Sequence, residues 1–132
     1  MSQENVEVVR QHIEAYAAGD GERALSFVDP EVVVDFSRMG VEGGIWHGHA
    51  GLARAVRSFR GAFLDYRFDV RRLVDADEMV VGLIREAGRG RTSGIEAEHP
   101  IGLVYLVRRG KIVRLTQYPR DSEALEAAGL RE

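Results

Sequence analysis

The chain contains no cysteine, which removes disulfides, thiolate zinc sites and a cysteine nucleophile from consideration. It has no excess of positive charge: 18 Lys and Arg stand against 21 Asp and Glu, a formal net charge of −3. That balance argues against a nucleic-acid partner. Lysine is nearly absent, since Lys111 is the single one, a bias that says little about function. No apolar run approaches the ~20 residues that span a bilayer, so no membrane partner is expected. The N-terminal stretch MSQENVEVVR lacks a basic segment followed by an apolar one, so no secretory leader is read there and the cytoplasm is the expected location. What is present is an ordinary globular mixture, 45% hydrophobic and 30% charged over 132 residues. That is one domain, 1–132, large enough to bury a core without staples.

Val6, Val9, Ile13 and Tyr16 recur at helical spacing, which predicts an amphipathic helix over 5–19 with Ser2 and Asn5 as candidate caps and Gly19 at its end. A short helix over 21–28 follows and Asp29-Pro30 stops it. The β-branched run Val32-Val33-Val34-Asp35-Phe36 predicts a strand, and 38–44 reads as a glycine-rich loop. Residues 45–49 lead into a third helix whose buried face is Leu52, Ala55, Val56, Phe59 and Phe63. Four strands are then predicted: 66–74, with Tyr66, Phe68 and Val70 on one side and Arg67, Asp69 and Arg71 on the other; 79–87; 95–107; and 112–118. Polar turns separate them, including a mobile glycine-rich loop over 88–94 and a tight hairpin at Arg109-Gly110-Lys111. A helical turn over 122–128 closes the chain. Strands at ~10-residue spacing joined by hairpins imply an antiparallel sheet, and helices gathered early must cover one face of it. The fold class is α+β.

Several segments carry a resemblance: Glu4 to Arg10, Tyr16-Ala17-Ala18-Gly19-Asp20, Leu25 to Val32, Trp46-His47-Gly48-His49-Ala50-Gly51-Leu52, Gly110 to Arg114, and Tyr118 to Leu125. Together they resemble the nuclear transport factor 2-like superfamily, and within it the SnoaL-like, polyketide cyclase-like branch. The resemblance implies a curved antiparallel sheet wrapped around the N-terminal helices, forming a cone with a pocket, and a homodimer through the other face of the sheet. Relatives of that kind include ketosteroid isomerases, polyketide cyclases, epoxide hydrolases, dehydratases and proteins that only bind or dimerise. No cofactor or metal is implied.

The isomerase chemistry needs a carboxylate base with a Tyr and a protonated Asp as oxyanion donors. By the resemblance those places fall on Phe36, His12 and Gly102, so that triad does not carry over; a one-residue slip would bring Asp35 to the base's place and also flip side chains between faces. For the cyclases, Gln117 falls near the expected acid. The resemblance turns Leu83, Arg85 and Ala87 inward on their strand, and Val113, Leu115 and Gln117 inward on the last one. Candidate catalytic groups are therefore His12 as an acid/base, Asp35 as base or as the partner of Arg85, and Arg85 as an anchor for an oxyanion. Candidate substrate-binding residues are Tyr16, Phe36, Trp46, Phe59, Phe63, Leu83, Val104 and Gln117, around a small hydrophobic carbonyl compound. Structural readings stand beside these: a backbone-bonded His12, an ion pair of Arg85 with Asp35 or Glu86, a solvent-exposed Asp35, and Trp46 at a pocket roof or dimer rim. Two histidines, His47 and His49, are too few for a zinc site. The stripe Ile95, Ala97, Ile101, Leu103, Tyr105 and Val107 suits sheet packing or a dimer face, with His99 as a polar spot on it.

Overall fold

Helix α1 (Ser2–Ala17) exists because Val6, Val9 and Ile13 line one face and are all buried. It starts earlier than the periodicity predicts and ends where Gly19 adopts φ 78°. There the Gly19 amide donates to Tyr16 O (3.1 Å) and the Asp20 amide to Ala15 O (2.9 Å), the paired bonds of a Schellman end. Asp20 then caps α2 (Gly21–Leu25) by accepting from the Arg23 amide at 3.1 Å. The turn thus fixes both where α1 stops and how α2 folds back on it. The computed structural model describes residues 2–42, 44–61 and 63–130.

Strand β1 (Val28–Asp35) precedes a 3-10 turn at Ser37–Glu42, where a loop was expected, and the short β2 (Ile45–His47). Gly43 of that stretch lies outside the described residues. Helix α3 (Gly48–Arg60) presents Leu52 and Ala55 to the core. The predicted meander follows as β3 (Phe63–Ala76), β4 (Met79–Gly90), β5 (Glu96–Arg108) and β6 (Lys111–Tyr118). Arg109 (φ 52°) and Gly110 (φ 75°) form the β5–β6 turn, the left-handed pair that a two-residue hairpin requires. Helix α4 (Asp121–Ala127) closes the described chain.

The strands form one sheet in the order β2-β1-β6-β5-β4-β3. The meander is antiparallel as predicted, while β1 joins β6 in parallel, a pairing that hairpin spacing does not reveal. Register shifts at Leu64/Arg67 and Val70/Arg72 in β3, and between Ile112 and Arg114 of β6 opposite Leu106/Val107, mark bulges, the devices that bend a sheet. The result is a curved, unclosed sheet. Its concave face packs on α1 and α3 through Val9, Val34, Ile84 and Tyr105. The convex face carries a second cluster, in which Val81, Leu83 and Val104 meet Ala124 and Leu125 of α4. The apolar stripe of β5 therefore divides differently from the dimer-face reading: Ile101, Leu103, Tyr105 and Val107 belong to the concave core.

Close approach of α4 to β5 depends on Gly102. A Cβ there would stand 2.5 Å from the Ala124 Cβ and 3.3 Å from the Arg120 carbonyl oxygen. Gly102→Ala is expected to destabilise the fold by about 1–3 kcal/mol through overpacking. The check is a melting curve, with Ala124→Gly in the same chain restoring part of the loss.

Candidate functional site

A cavity lies between α1, α3 and the concave face of the sheet. The helix α1 supplies His12 and Tyr16, one turn apart as their spacing predicts. Helix α3 supplies Leu52, Val56 and Arg60, a stripe at i, i+4 and i+8. Phe36 comes from the end of β1, Tyr66 and Phe68 from β3, Glu86 from β4, Leu103 and Tyr105 from β5, and Gln117 from β6. Three of the chain's four tyrosines thus face one space. The rings interlock edge to face, with Tyr16 and Phe68 at 5.6 Å and His12 and Tyr105 at 6.2 Å between centroids.

Glu86 is the buried carboxylate of this cavity, 3% exposed. Its Oε2 accepts from the Tyr66 hydroxyl at 2.5 Å and its Oε1 lies 3.0 Å from His99 Nε2. An ionised carboxylate out of water requires such partners. The pleat explains the grouping: Phe68 stands directly opposite Glu86 and Glu86 directly opposite His99 in the ladder. Arg60 spreads its guanidinium over the Tyr16 and Tyr66 rings, at 5.4 and 5.3 Å. Gln117 is 4% exposed and its Nε2 has no hydrogen-bond partner, an open donor beside the cavity.

Burial pushes the Tyr66 phenol up, and the neighbouring Glu86 charge pushes it further. Burial also raises Tyr16, more than the Arg60 guanidinium lowers it, and raises Tyr105. All three phenols are therefore hydrogen-bond donors near neutral pH. Burial drives the His12 imidazole below its ordinary value, and its bond to Ala24 O (2.9 Å) offsets only part of this. A carbonyl only accepts, so Nδ1 carries the proton and Nε2 is left as an acceptor on a neutral ring.

Of the residues singled out in the sequence, His12, Tyr16, Phe36 and Gln117 do line the cavity. The others require correction. Arg85 points away, with its side chain 48% exposed and bonded to Glu98 at 2.9 Å, so neither Asp35 nor Glu86 is its partner. Asp35 is buried and not solvent-exposed. It accepts from the Ser37 amide and hydroxyl (3.0 and 2.5 Å), from Arg114 (2.9 Å) and from Arg38 (3.3 Å). Burial would raise its carboxyl, but the Ser37 bonds and the two guanidiniums outweigh it and hold it below the ordinary range. Leu83 and Val104 belong to the convex cluster under α4. Trp46 packs on Phe36 (5.7 Å) and Phe63 on Tyr66 (5.9 Å), each behind the residue that lines the cavity. The Phe59 side chain lies outside the described residues. His49 Nε2 meets Val28 O at 2.8 Å, a backbone contact. The sequence reading missed Glu86 and Arg60; the inward alternation of Tyr66 and Phe68 was its one signal for Glu86.

The His12 environment has a pH consequence. The unfolded chain takes up a proton at this site near pH 6.5 while the folded chain resists it, so stability falls as pH drops through that value. His12→Asn keeps a donor for Ala24 O and removes the titration. Its stability is expected to vary less than the parent's between about pH 5 and 6.5, measured by denaturant melts across that range.

The sequence matches the SnoaL-like domain over residues 9–115. No curated protein sequence gives a significant match. In fold, the chain is similar to an NTF2-like protein from Burkholderia xenovorans LB400, with TM-score 0.76, 21% identity and 97% of each chain covered. It is similar to TerC co-crystallised with polyporic acid, with TM-score 0.74 and 20% identity over 96% of this chain and 98% of that one. It is also similar to a candidate polyketide cyclase from Xanthomonas campestris pv. campestris, with TM-score 0.73 and 24% identity over 96% and 98% of the two chains. At these identities the likeness is one of fold. The match over most of the sequence and the curved sheet around α1 together make this chain a member of the SnoaL-like domain family.

Proposed function

We propose that the protein holds a small, largely apolar carbonyl compound in the cavity and moves a proton on it without a cofactor, as an isomerase, cyclase or dehydratase does. The observation that carries this reading is the buried Glu86 carboxylate among aromatic rings, beside the unpartnered Gln117 Nε2. A carboxylate there can take a proton from the carbon next to a carbonyl. The C–H bond breaks, an O–H bond forms on Glu86, and negative charge develops on the substrate oxygen. Gln117 Nε2 and the Tyr16 hydroxyl are the donors available to that oxygen. The proton returns to another carbon in an isomerisation, or to a leaving oxygen in a dehydration. His12, neutral and bonded to Ala24, acts as an acceptor that orients the substrate. The geometry supports no role for Asp35 or Arg85 in this step. TerC holding polyporic acid in a similar fold supports a small-molecule cavity.

The free space in this conformation is about 60 Å³, against ~300–1,000 Å³ for ordinary ligand sites. That small volume also favours a second reading, a non-catalytic domain that binds a ligand or only dimerises. Two copies are proposed to associate through the convex face, where α4 leaves Val74, Met79 and Tyr118 partly uncovered; sedimentation equilibrium reads this directly.

The test is a screen of cyclic and polycyclic ketones for exchange of the α-hydrogen with deuterated solvent. Glu86→Gln keeps an acceptor for Tyr66 and is expected to reduce exchange about a hundredfold or more. Gln117→Leu, which leaves Glu86 in place, is expected to reduce it at least about tenfold. Exchange at the parent rate in Glu86→Gln overturns the assignment of the base; tight binding with no exchange establishes the second reading.

A further inference from the structure

Among the described residues, eight arginines are matched to carboxylates, as in Arg71 with Asp121 at 2.6 Å or Arg89 with Asp65 at 2.9 Å. Helix α3 concentrates unmatched ones. Its sequence holds Arg54, Arg57 and Arg60 and no Asp or Glu. Among the described residues none of the three makes an ion pair. Arg57 and Arg60, one turn apart, border a groove of about 300 Å³ between α1, α2 and α3. Its apolar surface comes from Ala24, Leu25, Leu52, Ala53 and Val56, and no carboxylate lines it. The groove and the inner cavity share His12, Tyr16, Leu52, Val56 and Arg60, so they meet at one wall.

Two guanidiniums that make no ion pair, beside an apolar trough that no carboxylate lines, repel cations and leave donors of their forks for an anion. Stacking on Tyr16 and Tyr66 holds Arg60 in place at the junction. A carboxylate matches the fork and a hydrocarbon matches the trough. We infer that this groove is the subsite for the acid group of an amphipathic organic carboxylate, whose apolar part runs past Leu52 and Val56 toward the inner cavity. The inference deepens the proposed function and rests on the cavity being a small-molecule site. It makes the substrate an acid and not merely an apolar ketone.

Decanoate and 1-decanol share a chain and differ in charge, so calorimetric titration with each isolates the acid group. The parent protein is expected to bind decanoate at least about tenfold more tightly than decanol, the scale of a charge-assisted hydrogen bond. High salt is expected to narrow the gap. Arg57→Gln with Arg60→Gln is expected to weaken decanoate about tenfold or more and to change decanol by less than about twofold. Equal affinity for the two compounds, decanoate binding unchanged in the double variant, or no binding of either overturns the subsite. Arginine-dependent decanoate binding without Glu86-dependent exchange keeps the subsite and discards the proton transfer. Glu86-dependent exchange on neutral ketones without arginine-dependent decanoate binding does the reverse.

Discussion

Successive side chains of a β-strand point to opposite faces, and the central sheet of this protein has helices on both. The buried apolar residues of β4, β5 and β6 are thereby divided between the concave space under α1 and α3 and the layer beneath α4. A shift of one residue in any strand would exchange the two sets. The identity of the cavity's carboxylate follows from this constraint. With Phe68 turned inward on β3, the residue directly opposite on β4 is Glu86, and Arg85 opposite Asp69 is turned out to Glu98. The same ladder brings His99 against the second oxygen of Glu86.

Burial of that carboxylate shapes its surroundings. Taking an ionised carboxylate from water into a protein interior costs several kcal/mol unless hydrogen bonds replace the hydration. Tyr66 supplies one such bond, its raised phenol keeping its proton as donor, and His99 Nε2 stands 3.0 Å from the other oxygen. Asp35 solves the same problem differently, on the other side of its strand, with Ser37, Arg38 and Arg114. Its four donors leave no free lone pair aimed at the cavity. Two buried carboxylates thus separate by role: one is locked into a structural ion network, the other borders a space with an open Gln117 donor.

The helical layer contributes the complementary half. The end of α1 at Gly19 and the cap at Asp20 set α2 beside α3 and so open the outer groove. The stripe Leu52, Val56 and Arg60 runs apolar to charged along α3, from the core to the mouth of the cavity. Family membership accounts for this scaffold and not for its chemistry, since the same fold carries unrelated sites.

The helices and the four-strand meander were legible in the sequence, because Val6, Val9 and Ile13 keep a helical period and Arg109-Gly110 makes a two-residue turn. His12 and Tyr16 were legible as one helical face, and Tyr66 with Phe68 as one strand face. What no local pattern contained was the inward face of β4 and β5. Val80 through Ile84 and Ile101 through Tyr105 are buried on both sides, so they show no polar alternation to read. Only cross-strand pairing carries the inward direction from β3 to β4, and pairing is a long-range contact. For that reason tertiary structure alone chose Glu86 over Arg85 and separated Leu83 and Val104 from the cavity.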